Sequence, residues 1–357
     1  MSKRLSLICL VLSLATVATR AQQLSVLAPA GMFPPLEAYL ESLRQQAGIP
    51  GMSVAVVQDG EIVWERGLGF QNIAARVRAT PDTPYLVGDI GQTLAAALLL
   101  ECVEERRLFL DDPVDRYGII LPGPRATLRN VMSHAALEGS EPFRYSPPRY
   151  AQLTLAMESC VPQPYPKTLV DRLLDRLAMK DSVPGTDLRT AVAAPEGLFE
   201  AEDLERYRAV LDRIAVPYKV EGRGRVEPTE LLPEAVSTAA GLVSTVRDLA
   251  RFDAALDSDL LLRDETRALA WSPANSPSGA TLPAGLGWFV QNYRGERLVW
   301  QFGEIPNAYS SLILKLPARH LTFILLANSD GLNSPFQLQS GDITRSLFAT
   351  LFLRLAI

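Results

Sequence analysis

The sequence predicts a mixed α/β (α+β) chain in which one antiparallel sheet, flanked by helices, is assembled from both chain ends around an inserted all-helical lobe. Three observations predict it: strand patterns in the first and last thirds, helical spacing with Pro-rich loops in the middle, and turn residues at the strand junctions. The chain has 357 residues, is 48% hydrophobic and 21% charged, and can bury a core in one large or two smaller domains.

The elements follow in order. "MSKRLSLICLVLSLATVATRA" sets Lys3 and Arg4 before an apolar run that ends on small residues, the pattern of a cleaved export signal over residues 1–21. The run is short of the roughly 20 apolar residues of a spanning helix, and Cys9 lies inside it, which speaks against a lipid anchor. "LEAYLESLRQQAG" has helical spacing, and "MSVAVVQDGEIVWERGLG" reads as two strands about Asp59 and Gly60. "ATLRNVMSHAAL", "RYAQLTLAMESCV" and "TLVDRLLDRLAM" make the middle third all-helical. Strands return in "GLGWFVQNYRG", "RLVWQFG", "AYSSLILKLP" and "HLTFILLANSDG", and the apolar helix "ITRSLFATLFLRLAI" closes the chain. The expected division of residues 22–357 is a sheet lobe at about 36–93 and 236–357 with a helical lobe at about 94–235.

The net charge is −5, and loss of Lys3, Arg4 and Arg20 with the signal makes it more negative still, which argues against nucleic acid or an anionic membrane as partner. Cys102 and Cys160 remain after cleavage, and both a disulfide and a pair of buried thiols are open. With His134 and His320 they show no metal-ligand spacing, and no cofactor is expected.

"GDIGQTLAAALLLECVEERRLFLDDPV" from Gly88 to Val114, "TLRNVMSHAALEG", "FRYSPPRYAQL", "AAGLVSTVRDLARFDAAL", "WQFGEIPNAYSSLILKLP" and "FILLANSDG" occur in one order. Together they resemble the penicillin-recognising serine hydrolases: class C type β-lactamases, D-alanyl-D-alanine peptidases and related esterases. The resemblance spans nearly the whole mature chain and implies a β-lactamase-like fold. It also implies a serine at the start of a long helix and a lysine three residues on, sharing one face so that the hydroxyl can attack a carbonyl.

Here those positions are Asp89 and Gln92, a carboxylate and an amide that takes no proton near neutral pH, and no Ser-x-x-Lys tetrapeptide occurs in the mature chain. Tyr145 stands at the second motif's tyrosine and Tyr150 at the aromatic five residues on, but Pro147 replaces Asn or Gly. Gln301 and Gly303 stand at the third motif, and Ala135 and Ala136 replace two hydroxyl residues after His134. The resemblance therefore implies a scaffold whose catalytic stations have eroded together.

Asp89 has a structural role available, as the N-cap of a capping box with Gln92 worth about 0.5–2 kcal/mol; the alternative is a carboxylate nucleophile or general acid. Tyr145 reads as a pocket residue or a packed aromatic, and His134 as a structural histidine. Thr245, with Ser244 beside it and Asp248 three residues on, reads as a helix cap; His320 takes no role. Trp288, Trp300 and Tyr309 line the cleft or pack the core. The expected function is an exported (periplasmic or secreted), catalytically inactive family member with a cleft for a small molecule, peptide or cell-wall fragment. The alternatives are an active esterase, peptidase or β-lactamase using a non-standard group, and an interaction protein using only its surface.

Overall fold

The computed structural model describes residues 30–121, 125–190, 197–221 and 224–357, so the expected export segment lies outside the described residues. Helix α1 (Phe33–Gln46) carries Pro34 and Pro35 in its first turn, where a missing N–H leaves no bond unmade, and turns Leu36 and Leu40 inward. Strands β1 (Gly51–Gln58) and β2 (Glu61–Asn72) are joined by Asp59 and Gly60, both at positive φ, the turn whose twist matches that of the strands. Then come β3 (Val77–Arg78), β4 (Tyr85–Leu86), a 3-10 turn at Gly88–Ile90, and α2 (Gly91–Glu104).

The middle of the chain holds α3 (Leu128–Met132), α4 (Pro147–Ala151), α5 (Leu153–Cys160), α6 (Tyr165–Leu169), β5 (Val183–Pro184), α7 (Ala201–Leu211), β6 (Tyr218–Glu221) and β7 (Arg225–Pro228). This stretch is not all-helical as expected. In "YKVEGRGRVEP" Val220 pairs with Val226, and β5 joins a small sheet with β4 and β8 (Leu242–Ser244). A disulfide joins Cys102 in α2 to Cys160 at the end of α5.

The last part runs α8 (Val246–Asp257), α9 (Asp264–Ala270), β9 (Phe289–Tyr293), β10 (Glu296–Ile305), β11 (Tyr309–Leu316), β12 (Leu321–Ala327) and α10 (Leu347–Ala356). Thr245 caps α8 by accepting from the Asp248 N–H, as its sequence suggests. His320 ends a 3-10 turn in the left-handed region.

The main sheet is antiparallel in the order β3-β2-β1-β12-β11-β10-β9, so N-terminal and C-terminal strands meet where Val54 faces Leu325. One face packs against α1 and α10, with Phe323 stacked on Phe352 at 4.4 Å; α2 and α8 cover the other. Covered on both faces, β1 is buried throughout, which explains its near-continuous apolar run.

Candidate functional site

The start of α2 is pinned to the sheet by backbone contact. A Cβ on Gly303 would lie 2.1 Å from the Val87 carbonyl oxygen and 2.9 Å from the Asp89 nitrogen, so only glycine lets β10 approach the turn. The Ser311 hydroxyl donates to the same Val87 carbonyl at 2.7 Å. These contacts hold Asp89 beneath β10, and α2 begins two residues later at Gly91.

The expected capping box is not formed. The 3-10 turn moves the helix start to Gly91, and neither the turn nor α2 has a side-chain cap bond. Asp89 Oδ2 instead accepts the Tyr145 hydroxyl hydrogen at 3.0 Å, from a residue 56 positions away. Gln92 Nε2 donates to the Tyr145 oxygen at 3.3 Å, and Gln92 Oε1 lies 2.9 Å from His134 Nε2. His134 Nδ1 accepts the Ser146 N–H at 3.1 Å, so the neutral ring carries its proton on Nε2 and donates it to Gln92. The result is one directed chain of hydrogen bonds: Ser146, His134, Gln92, Tyr145, Asp89.

Burial sets the electrostatics of this chain. Desolvation pushes the Asp89 carboxyl up to about 7; the Tyr145 and Gln92 bonds oppose it, and the charges of Glu304 and Glu234 add to it. The favourable field at a helix N-terminus is outweighed. Burial, then the Asp89 charge, drive the Tyr145 hydroxyl well above its usual range. Burial, helped by Arg149, pushes His134 down to about 3, so the imidazole is neutral at physiological pH. His134 is a direct bonding partner of Gln92, closer to the site than its sequence context suggested, and the Tyr150 hydroxyl donates to the Gln92 carbonyl at 3.2 Å.

Packing fixes the chain. The Tyr145 ring lies 4.5 Å from His134 on one side and 5.3 and 5.4 Å from Phe289 and Phe302 on the other. Gln301, 1% exposed, turns its Oε1 to the Phe302 N–H at 2.9 Å and its Nε2 to the Gly287 carbonyl at 3.4 Å. Both ends of that amide are thus bound to backbone. Pro147 is the first residue of α4 and offers the site no donor, while buried Ala135 pairs only through its backbone with Phe143. Trp288, Trp300 and Tyr309 are core residues: Trp288 meets Trp271 edge-on, Trp300 stacks on Phe289, and the Tyr309 hydroxyl donates to the Ala215 carbonyl. Phe289, Phe302, Glu234 and Glu304 were not singled out from sequence, since nothing local marks them as neighbours of Asp89.

A sheet built from both chain ends, with a long helix starting under its third-motif strand, defines a serine-hydrolase scaffold. The chain belongs to the beta-lactamase family, whose pattern, described as Beta-lactamase, matches residues 36–345. It is similar to Protein flp of Staphylococcus aureus (strain MW2), 22% identical over 344 residues covering 84% of this chain and 63% of that protein. A D-aminopeptidase of Brucella ovis is 34% identical over 100 residues, covering 27% of this chain and 19% of that one. The chain therefore spans less than two thirds of the length of either relative.

Among solved structures, the octameric penicillin-binding protein homologue from Pyrococcus abyssi aligns with a TM-score of 0.72 at 21% identity, covering 90% of this chain and 77% of that one. The D-amino acid amidase from Ochrobactrum anthropi SV3, complexed with L-phenylalanine amide, aligns with a TM-score of 0.70 at 20% identity, covering 91% and 100%. These likenesses establish the fold, as the order of sequence phrases implied.

Proposed function

We propose that the protein is a non-catalytic member of the beta-lactamase family whose former reacting centre serves as a buried, self-satisfied polar core. One observation carries this reading: every polar side chain of the chain from His134 to Asp89 is bonded to the next. Acyl transfer needs a nucleophile and a base able to take its proton. Gln92 takes none, both His134 nitrogens are engaged, and the Tyr145 hydroxyl is committed as a donor to a carboxylate. Glutamine in place of lysine and aspartate in place of serine thus remove the chemistry, and the side chains present bond to one another instead. Penicillin-like compounds, D-amino acid amides and aryl esters are therefore expected to be neither bound covalently nor hydrolysed. Turnover assays on purified protein test this, with buffer-only rates as the expected result.

A second reading rests on Asp89 alone, because a buried carboxyl titrating near 7 is suited to general acid–base work. It requires hydrolysis that disappears in Asp89→Asn. For location, the basic and then apolar run at residues 3–18 and the Cys102–Cys160 disulfide support export to an oxidising compartment. A periplasmic or secreted protein would retain the disulfide as isolated.

A further inference from the structure

Arg149 lies in α4 beside the hydrogen-bond chain, and its charge is felt at His134. Its Nε is fully buried and has no hydrogen-bond partner, while Nη2 donates to the Arg144 carbonyl at 3.1 Å. Among the described residues no carboxylate lies within ion-pair distance of Arg149 or Arg144. The contrast within the molecule is plain: Arg247 is held between Glu65 and Asp82, and Arg319 donates to Glu296. A half-buried guanidinium with an orphaned donor and a second cation beside it is costly to keep, because desolvation and then the Arg144 charge disfavour its own charge and no carboxylate offsets them.

The two arginines border a cavity of about 240 Å³, together with Ser146, Leu121, Leu137 and Glu138. Leu121 and Leu137 form its apolar part, and Ser146 and the arginines supply donors. Glu138 is exposed, so its charge is screened by solvent.

We propose that this cavity is a binding site for a small oxoanion, a carboxylate or phosphate group held by Arg149 and Arg144 with Ser146 beside them. A guanidinium presents parallel donors that match two oxygens of such a group, and a charge-assisted pair would offset the charge of Arg149, which no described carboxylate pairs. The proposal does not depend on whether Asp89 is catalytic. It adds a consequence: Ser146, whose N–H bonds His134 Nδ1, belongs to both the cavity and the chain, so an occupant would be felt at the His134 ring.

The test uses inorganic phosphate and acetate, each titrated at constant ionic strength against chloride, with thermal unfolding and the His134 ring resonances as readouts. Wild-type protein should show a saturable rise in unfolding temperature with one of the two anions, accompanied by a saturable shift of the His134 signals. Arg149→Gln should weaken the apparent affinity by roughly tenfold or more, the usual effect of losing a hydrogen bond to a charged group. Arg144 is exposed, so Arg144→Gln should fold normally and also weaken binding. Which anion saturates distinguishes a carboxylate from a phosphate ligand. No saturable response to either anion, or an unchanged affinity in both variants, overturns the proposal.

Discussion

Tyr145 donates its hydroxyl hydrogen to Asp89 Oδ2 at 3.0 Å, and this bond makes the carboxylate the acceptor end of a chain that begins at the Ser146 N–H. Asp89 is held near 7 in the fold against 3.8 as a free group, and His134 near 3 against 6.5. Between pH 4 and 6.5 the folded protein therefore keeps a proton on Asp89 that the unfolded chain releases, and lacks one on His134 that the unfolded chain binds. The Asp89 contribution to stability falls as pH rises through that window, and the His134 contribution rises, so the two largely cancel.

Asp89→Asn separates them. The amide oxygen can still accept from Tyr145, but nothing titrates, so the variant should be more stable than wild type by up to about 4 kcal/mol at pH 8, with the gap closing towards pH 4. Urea unfolding across this range measures it. A variant less stable than wild type at pH 8 would show that the charged carboxylate is favourably held.

Gln92→Met keeps the size of the side chain and removes both bonds of the amide. His134 Nε2 loses its acceptor and Tyr145 its donor in a buried site, and the expected cost is about 1–3 kcal/mol. Unchanged unfolding would mean that the chain does not contribute to stability.

The Cys102–Cys160 disulfide spans 58 residues and ties α2 to α5. Loop-closure entropy puts its contribution at about 4 kcal/mol, so the double Cys102→Ala, Cys160→Ala variant should lose several kcal/mol in denaturant unfolding. Loss of less than 1 kcal/mol would remove the disulfide from the account of stability.

Asp89→Ser with Gln92→Lys restores the nucleophile and amine on one helical face. Gln301 is bound at both ends to backbone, Pro147 supplies no donor, and Phe289 and Phe302 press on the Tyr145 ring. Groups that act as a unit are not restored one pair at a time. Stopped-flow assays with a chromogenic penicillin should show no acylation burst; a full burst would show that only two residues separate this protein from an active one.

Much of the fold was legible because its signals are local: the Asp59 and Gly60 turn, the short apolar strand runs, and the Thr245 cap all depend on residues within a few positions. The order of phrases likewise placed Tyr145, Gln301 and Gly303 around the start of α2. What Asp89 does was not legible. The D-x-x-Q pattern satisfies a capping box locally, yet its decisive partner is Tyr145, brought in by the helical region, and a 3-10 turn displaces the helix start. The same applies to Lys315 in the apolar-looking strand "AYSSLILKLP". It is buried against Asp253 and Asp257 of α8, which no spacing within the strand reveals.

On the proposed reading no group at the start of α2 can be acylated. Intact-mass measurement of purified protein after separate incubation with a penicillin and a fluorophosphonate tests it most directly. An unmodified mass is expected under conditions that label an active serine hydrolase completely. A stoichiometric adduct on Tyr145 or Asp89, or one abolished by mutating a single serine, would contradict it.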